Sequence, residues 1–290
     1  MIGRVATMGL CLAAGALAPV PAHAQTVPTA PGYTMPFTAT WDMRAAHGAT
    51  YRIFVSYPEG EAPEGGFPVL YVTDGNALFA SFAETRRMIG WTKGQEMIVV
   101  GVGYPTDQAY DVRRIDDFTG VPTTSLAYAK YAKEKNGGWD RFLDFLTGEL
   151  RTEIGKRYKT NPARQSLFGH SLGGLFAAHT LFTRPDAFHA IIAASPSLFW
   201  HEALTRREER DFVARLQAGK GGQVARLLVV SGEREEAVLE RWDAEAFAKR
   251  MEPLSAHGLR VQSMVYKDEG HMTVPARAVT DTLRFALTWP

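Results

Sequence analysis

Gln165-Ser166-Leu167-Phe168-Gly169-His170-Ser171-Leu172-Gly173-Gly174 is the stretch that decides how this chain is read. Its centre, Gly169-His170-Ser171-Leu172-Gly173, is a G-x-S-x-G, the pattern of a nucleophile elbow. Such a turn stops a short apolar strand, reverses sharply and starts a helix, leaving one hydroxyl at the tip. Ser171 is then expected in strained backbone space, where β-carbons two residues to either side would collide; Gly169 and Gly173 have none. The first N–H groups of the following helix face a reacting carbonyl, which makes the Leu172 amide a candidate oxyanion donor. The flanks agree. Ser166-Leu167-Phe168 is strand-like, and Leu172, Leu175, Phe176, Ala177, Ala178, Leu181 and Phe182 read as a buried helix. Gly174 lets that helix lie close on the sheet.

Outward from the elbow, strands and helices alternate. Phe37–Trp41 and Tyr51–Tyr57 show the period-two pattern of half-exposed antiparallel strands. Val69–Val72 and Met97–Val102 are continuous apolar runs, as in strands covered on both faces, with a helix expected over Ala77–Ile89. Residues 104–138 are irregular and rich in Asp, Tyr, Arg and Gly, which suits a binding loop or lid. Phe142, Leu146, Leu150, Ile154 and Tyr158 recur every four residues and predict one amphipathic helix. Strands Ala190–Ala194, Leu227–Val230 and Val261–Tyr266 then alternate with helices Leu204–Leu216, Trp242–Met251 and Pro275–Leu287. The expectation is an α/β fold: a mostly parallel central sheet with antiparallel N-terminal strands and helices on both faces. It would occupy residues 37–290 as one domain.

A serine hydroxyl needs a base, and in this architecture the chain order is nucleophile, acid, histidine. His271, in Asp268-Glu269-Gly270-His271, follows the last strand and is the best-placed base. His47, His170, His179, His189, His201 and His257 fall elsewhere. The acid should follow strand Leu227–Val230, where Gly232-Glu233-Arg234-Glu235 resembles a G-x-x-D with Glu in place of Asp. Either carboxylate can hold the histidine tautomer. Glu235 is the first candidate; Glu233, Asp243 or no acid at all stay open, since acids also suit a helix N-terminus. A second oxyanion amide is expected in Asp74-Gly75-Asn76 after the first parallel strand, and Asn76 would supply it unless the segment is an ordinary turn.

Bulk properties narrow the rest. The 290 residues are 46% hydrophobic and 22% charged, ordinary for a globular protein. Arg4, an apolar stretch over residues 5–20 and Ala22-His23-Ala24 read as a secretory signal peptide over 1–24, with residues 25–36 a proline-rich flexible leader. Pro19 and Pro21 break the apolar run, so no stable membrane anchor is expected. Cleavage would remove Cys11, the sole cysteine, leaving no disulfide and no thiol nucleophile in an exported protein, periplasmic or extracellular. With 32 Lys+Arg against 31 Asp+Glu and no basic run, nucleic acid is not the expected partner. There is no H-E-x-x-H and no phosphate-cradling glycine loop, so neither metal nor cofactor is expected.

Five segments in this order carry a resemblance: Tyr71–Asn76, Gly101–Pro105, Arg113-Arg114 with Asp117-Phe118-Thr119, Gly169–Gly174, and Ser195-Pro196-Ser197-Leu198-Phe199-Trp200. Together they resemble the esterase group of α/β-hydrolases that includes the bacterial siderophore trilactone esterases of the enterobactin and bacillibactin type, over about residues 37–288. The resemblance implies an α/β-hydrolase fold, a small-molecule ester substrate, catalytic Ser171 and His271, and an oxyanion amide at Asn76. Some members work with a Ser-His dyad, which leaves Glu235 open. The resemblance also implies that the arginine region faces substrate: Arg113 or Arg114 would pair with catecholate or carboxylate oxygens, or an Arg–Asp117 clamp would tie down the loop. Trp200 would wall the acyl pocket or simply pack in the core. General short-chain or feruloyl-type esterase, acyltransferase, and silent ligand-binding protein are the competing functions.

Overall fold

The computed structural model describes residues 33–235 and 242–288; the expected signal peptide and all but the last residues of the expected leader lie outside them. The chain divides into Met1–Met35 and the unit Pro36–Pro290. Its eight strands form one sheet in the order β1-β2-β4-β3-β5-β6-β7-β8: β1 Thr38–Arg44, β2 Thr50–Ser56, β3 Phe67–Thr73, β4 Ile98–Gly103, β5 Thr160–His170, β6 Ala190–Ala194, β7 Arg226–Gly232 and β8 Val261–Tyr266. β1 pairs antiparallel with β2, and β2 with β4; every other pairing is parallel. This is the expected sheet, with its antiparallel edge at the N-terminal end.

The residue pattern explains the layers. β3, β4, β6 and β7 are buried along their whole length, as their unbroken apolar runs require. Helices α1 (Gly75–Ile89) and α8 (Val274–Leu287) cover one face, setting Leu78, Phe82, Val279 and Leu283 against Val72 and Val230. The other face carries α5 (Leu172–Thr183), whose residues are buried nearly all round, and α6 (Glu202–Gln217). α7 (Trp242–Met251) precedes β8. Among the described residues no helix is long and apolar enough to cross a membrane.

The single helix expected over Phe142–Tyr158 is instead three pieces: α3 (Trp139–Asp144), a π-helical turn Phe145–Leu150 and α4 (Arg151–Arg157). A strict four-residue repeat drifts by about 40° per step around an α-helix. The wider π turn takes up that drift, and Phe142, Leu146, Leu150 and Ile154 all stay buried. Residues 104–138 hold only the short α2 (Arg114–Phe118) and one 3-10 turn, Leu126–Tyr131. They are nevertheless anchored: Asp117 is buried and accepts the Tyr51 hydroxyl at 2.9 Å and the Tyr104 hydroxyl at 2.8 Å.

Candidate active site

Ser171 stands between β5 and α5 with φ 61° and ψ −118°, a left-handed backbone in a non-glycine residue. Its amide donates to the Ala194 carbonyl at 3.0 Å. The glycines around it are steric necessities. A β-carbon on Gly169 would lie 1.9 Å from the Gly173 carbonyl oxygen, and one on Gly173 would lie 2.5 Å from Thr73 Oγ1. At Gly174 it would meet Ala194 O and Pro196 Cα, both at 2.8 Å, so the helix does lie as close to the sheet as the sequence suggested.

His271 lies in the loop between β8 and α8, a hundred residues away in sequence, and with Ser171 lines a cavity of about 440 Å³. That is the size of a small-molecule site. His271 Nδ1 is 3.3 Å from Glu235 Oε2. A carboxylate only accepts, so Nδ1 carries the proton and Nε2 is left as the basic nitrogen. Glu235 has a fully buried side chain; its other oxygen, Oε1, accepts from the Gly232 amide at 2.6 Å and the Ser195 hydroxyl at 2.5 Å. The remaining acids are placed differently. Glu233 turns outward and accepts the Asp268 amide at 3.1 Å. Asp243 belongs to α7, and its side chain lies outside the described residues.

The two expected amides sit at helix starts. Leu172 is the first residue of α5 and lines the cavity beside Ser171. Asn76 is the second residue of α1 and does not line the cavity. Its side chain is engaged elsewhere, donating to the Tyr104 and Thr106 carbonyls and accepting the Tyr104 amide, which ties the start of α1 to the exit of β4. Only its backbone N–H, among the first-turn donors a helix cannot satisfy itself, remains for an oxyanion. The Asp74 carboxylate does abut the elbow, 3.6 Å from where a Gly173 β-carbon would be.

The two arginines separate. Arg113 is half exposed, pairs with Asp111 and lies 4.9 Å over the Tyr104 ring, away from the cavity. Arg114 lines the cavity, but its guanidinium is held in a two-pronged pair with Asp74 at 2.7 and 2.8 Å. Burial opposes its charge, and Asp74 more than compensates, holding the guanidinium above its ordinary pKa. The expected Arg–Asp117 clamp is therefore corrected: the partner is Asp74, forty residues back, while Asp117 is occupied by two phenols. Trp200 is both things at once. It is 1% exposed, with Nε1 donating to the Val121 carbonyl at 3.0 Å, and it forms part of the cavity wall with Tyr110, Tyr128 and Tyr131.

Three residues escaped the sequence reading as participants. His170, the residue before Ser171, is fully buried; its Nε2 is 2.8 Å from the His271 carbonyl oxygen and its ring 4.6 Å from the His271 ring. Burial first, then His271 and Arg114, push its pKa well below the usual imidazole range, so His170 is neutral and donates that bond. Ser195 holds Glu235, and Ser197 Oγ is 3.4 Å from Ser171 Oγ. Their signal was the Ser195-Pro196-Ser197 run directly after β6. Among the described residues no cluster of three or more His, Cys, Asp or Glu is arranged to hold a metal.

A strand-borne serine at a strained turn, a histidine after the last strand and a buried carboxylate after β7 are the layout of an α/β-hydrolase. Known proteins agree. The chain is 34% identical over 270 residues to the ferri-bacillibactin esterase BesA of Bacillus subtilis, covering 89% of this chain and 92% of that one. The crystal structure of the BES protein from Bacillus cereus superposes with a TM-score of 0.81 at 30% identity, covering 91% of this chain and all of that one. The siderophore hydrolase EstB from Aspergillus nidulans gives 0.69 at 30% identity, with 89% and 97% covered. The fold is that of the α/β-hydrolases, and with residues 45–270 matching the model described as Putative esterase, the chain belongs to that esterase family.

Proposed function

We propose that this protein is an exported serine esterase that hydrolyses the lactone esters of catecholate siderophores through an acyl-enzyme. The observation that carries the reading is the convergence of Ser171 and His271 on one aromatic-walled cavity, with His271 Nδ1 turned to a buried Glu235. Ser171 Oγ attacks the ester carbonyl carbon while His271 Nε2 takes its proton. The Leu172 and Asn76 amides receive the oxyanion, each such donor being worth roughly 10² to 10³ in rate. Collapse expels the alcohol, which leaves with the proton from His271. Water, deprotonated by the same nitrogen, then attacks the acyl-enzyme and frees Ser171.

Support for the substrate class comes from the relatives, named as esterases or hydrolases of siderophores. Tyr110, Tyr128, Tyr131 and Trp200 give flat apolar faces on which aromatic acyl groups can stack. Export rests on the signal-like residues 1–24, which remove the only cysteine on cleavage. The test is hydrolysis of a tricatecholate trilactone, with and without iron, beside p-nitrophenyl acetate and a feruloyl ester. Stepwise ring opening, with kcat/KM well above that for the simple esters, supports the proposal. Preference for the simple or feruloyl ester overturns the siderophore assignment, and tight binding without turnover favours a ligand-binding protein.

A further inference from the structure

Ser195 is a serine where the backbone favours glycine. It follows the last residue of β6 with φ 43°, is fully buried, and its amide donates to the Val230 carbonyl at 2.7 Å. A glycine would adopt this conformation without strain, so the side chain is what serine adds. That side chain donates to Glu235 Oε1 at 2.5 Å, the oxygen that also takes the Gly232 amide. With Oε1 doubly engaged, the carboxyl cannot rotate, and Oε2 is the oxygen presented to His271 Nδ1. Two residues on, the Ser197 amide donates to the Ser171 carbonyl at 3.1 Å, and its hydroxyl touches Ser171 Oγ at 3.4 Å. Pro196 between them abuts Gly174. One three-residue turn therefore grips the acid at one end and the nucleophile at the other.

We propose that Ser195 is a positioning residue: its hydroxyl fixes the Glu235 carboxyl so that one oxygen faces His271, and the Ser195-Pro196-Ser197 turn sets acid and nucleophile in one rigid register. This rests on the reading of Ser171, His271 and Glu235 as nucleophile, base and acid. A hydrogen bond to a charged group contributes enough that its loss should lower kcat by about tenfold to a hundredfold. KM should hardly change, because Ser195 does not line the cavity.

The experiment is a double-mutant cycle on the full chain, pairing Ser195→Gly and Ser195→Ala with Glu235→Ala, and with Ser171→Ala as the blank. Gly suits φ 43°, so hydroxyl loss is read there without backbone strain. The expected result is the fall in kcat with KM nearly unchanged, and no further loss when Ser195→Gly is added to Glu235→Ala, since Ser195 acts only through Glu235. Wild-type kcat in folded Ser195→Gly overturns the proposal. So do losses that multiply in the double variant, or failure of both Ser195 variants to fold while Glu235→Ala folds, since each marks a scaffolding role. Full activity in Glu235→Ala, with Ser171→Ala inactive, removes the acid and this proposal with it but leaves the nucleophile. Activity in Ser171→Ala instead removes the reading on which both rest.

Discussion

Replacing Arg114 by alanine separates two roles that its place in the cavity wall would allow. If the guanidinium serves substrate, its loss raises KM and leaves stability alone. The geometry argues for the other role. The two prongs reach Asp74 at 2.7 and 2.8 Å, and the side chains are only 13% and 1% exposed. An exposed pair would be worth about 0–1 kcal/mol. Removing one partner of a buried pair instead strands the other charge and costs about 3–5 kcal/mol. Asp74 also holds a left-handed conformation, φ 54° and ψ 45°, directly before Gly75 and Asn76. Arg114→Ala should therefore lower unfolding free energy by that amount and lower kcat by loosening the start of α1. Urea unfolding, followed by the fluorescence of the six tryptophans, measures the first. Asp74→Asn completes a cycle in which the double variant should lose clearly less than the sum of the singles. A loss under about 1 kcal/mol with a raised KM would refute this and return Arg114 to substrate recognition.

Gly169→Ala forces a β-carbon to within 1.9 Å of the Gly173 carbonyl oxygen, a backbone atom that cannot rotate aside. It should cost about 3 kcal/mol or more and abolish turnover, whereas Gly148→Ala, with open space around it, should be near neutral; equal effects in thermal unfolding would contradict the elbow geometry. Asp117 is raised to about 6 by burial, against the opposing Tyr104 and Tyr51 hydrogen bonds. The folded state thus holds this proton more tightly than the unfolded chain, whose value is near 3.8, so its contribution is full below 3.8 and is lost as pH rises through 6. The stability of Asp117→Asn relative to wild type should therefore rise by about 3 kcal/mol across that window, and a flat difference would count against it. His179 is stacked on Trp139 at 3.7 Å; burial opposes its charge, but Asp140 and Glu208 outweigh it and raise its pKa. Its stabilisation is full below 6.5 and falls as pH climbs past the raised value, so wild type should lose stability relative to His179→Gln in unfolding curves taken from pH 6 to 9; parallel curves would contradict it.

What the sequence made legible follows from local physics. Ala190–Ala194, Trp242–Met251 and Val261–Tyr266 have the bounds that their apolar runs and periodicity predict. The elbow was legible because two glycines and a serine at fixed spacing are a steric requirement, visible without any partner. The acid was ambiguous because Glu233 and Glu235 lie in one turn. What separates them is the chain reversal, in which the Glu235 amide donates to the Gly232 carbonyl at 3.3 Å and the carboxyl folds back onto the Gly232 amide. The π turn was missed because a four-residue repeat reads as a helix unless its drift is counted. Arg114–Asp74, His170–His271 and Ser195–Glu235 were out of reach for a common reason. Each joins residues at or beyond the ends of different strands, and no local periodicity encodes such a bond.

The proposed function stands or falls with Ser171 as a nucleophile activated by His271. A fluorophosphonate probe tests it most directly, with the adduct located by mass spectrometry of the intact and digested protein. The account predicts one adduct per chain, on Ser171, formed fast in wild type, slowed by orders of magnitude in His271→Ala and absent in Ser171→Ala. An adduct on another residue, or labelling indifferent to His271, would contradict it.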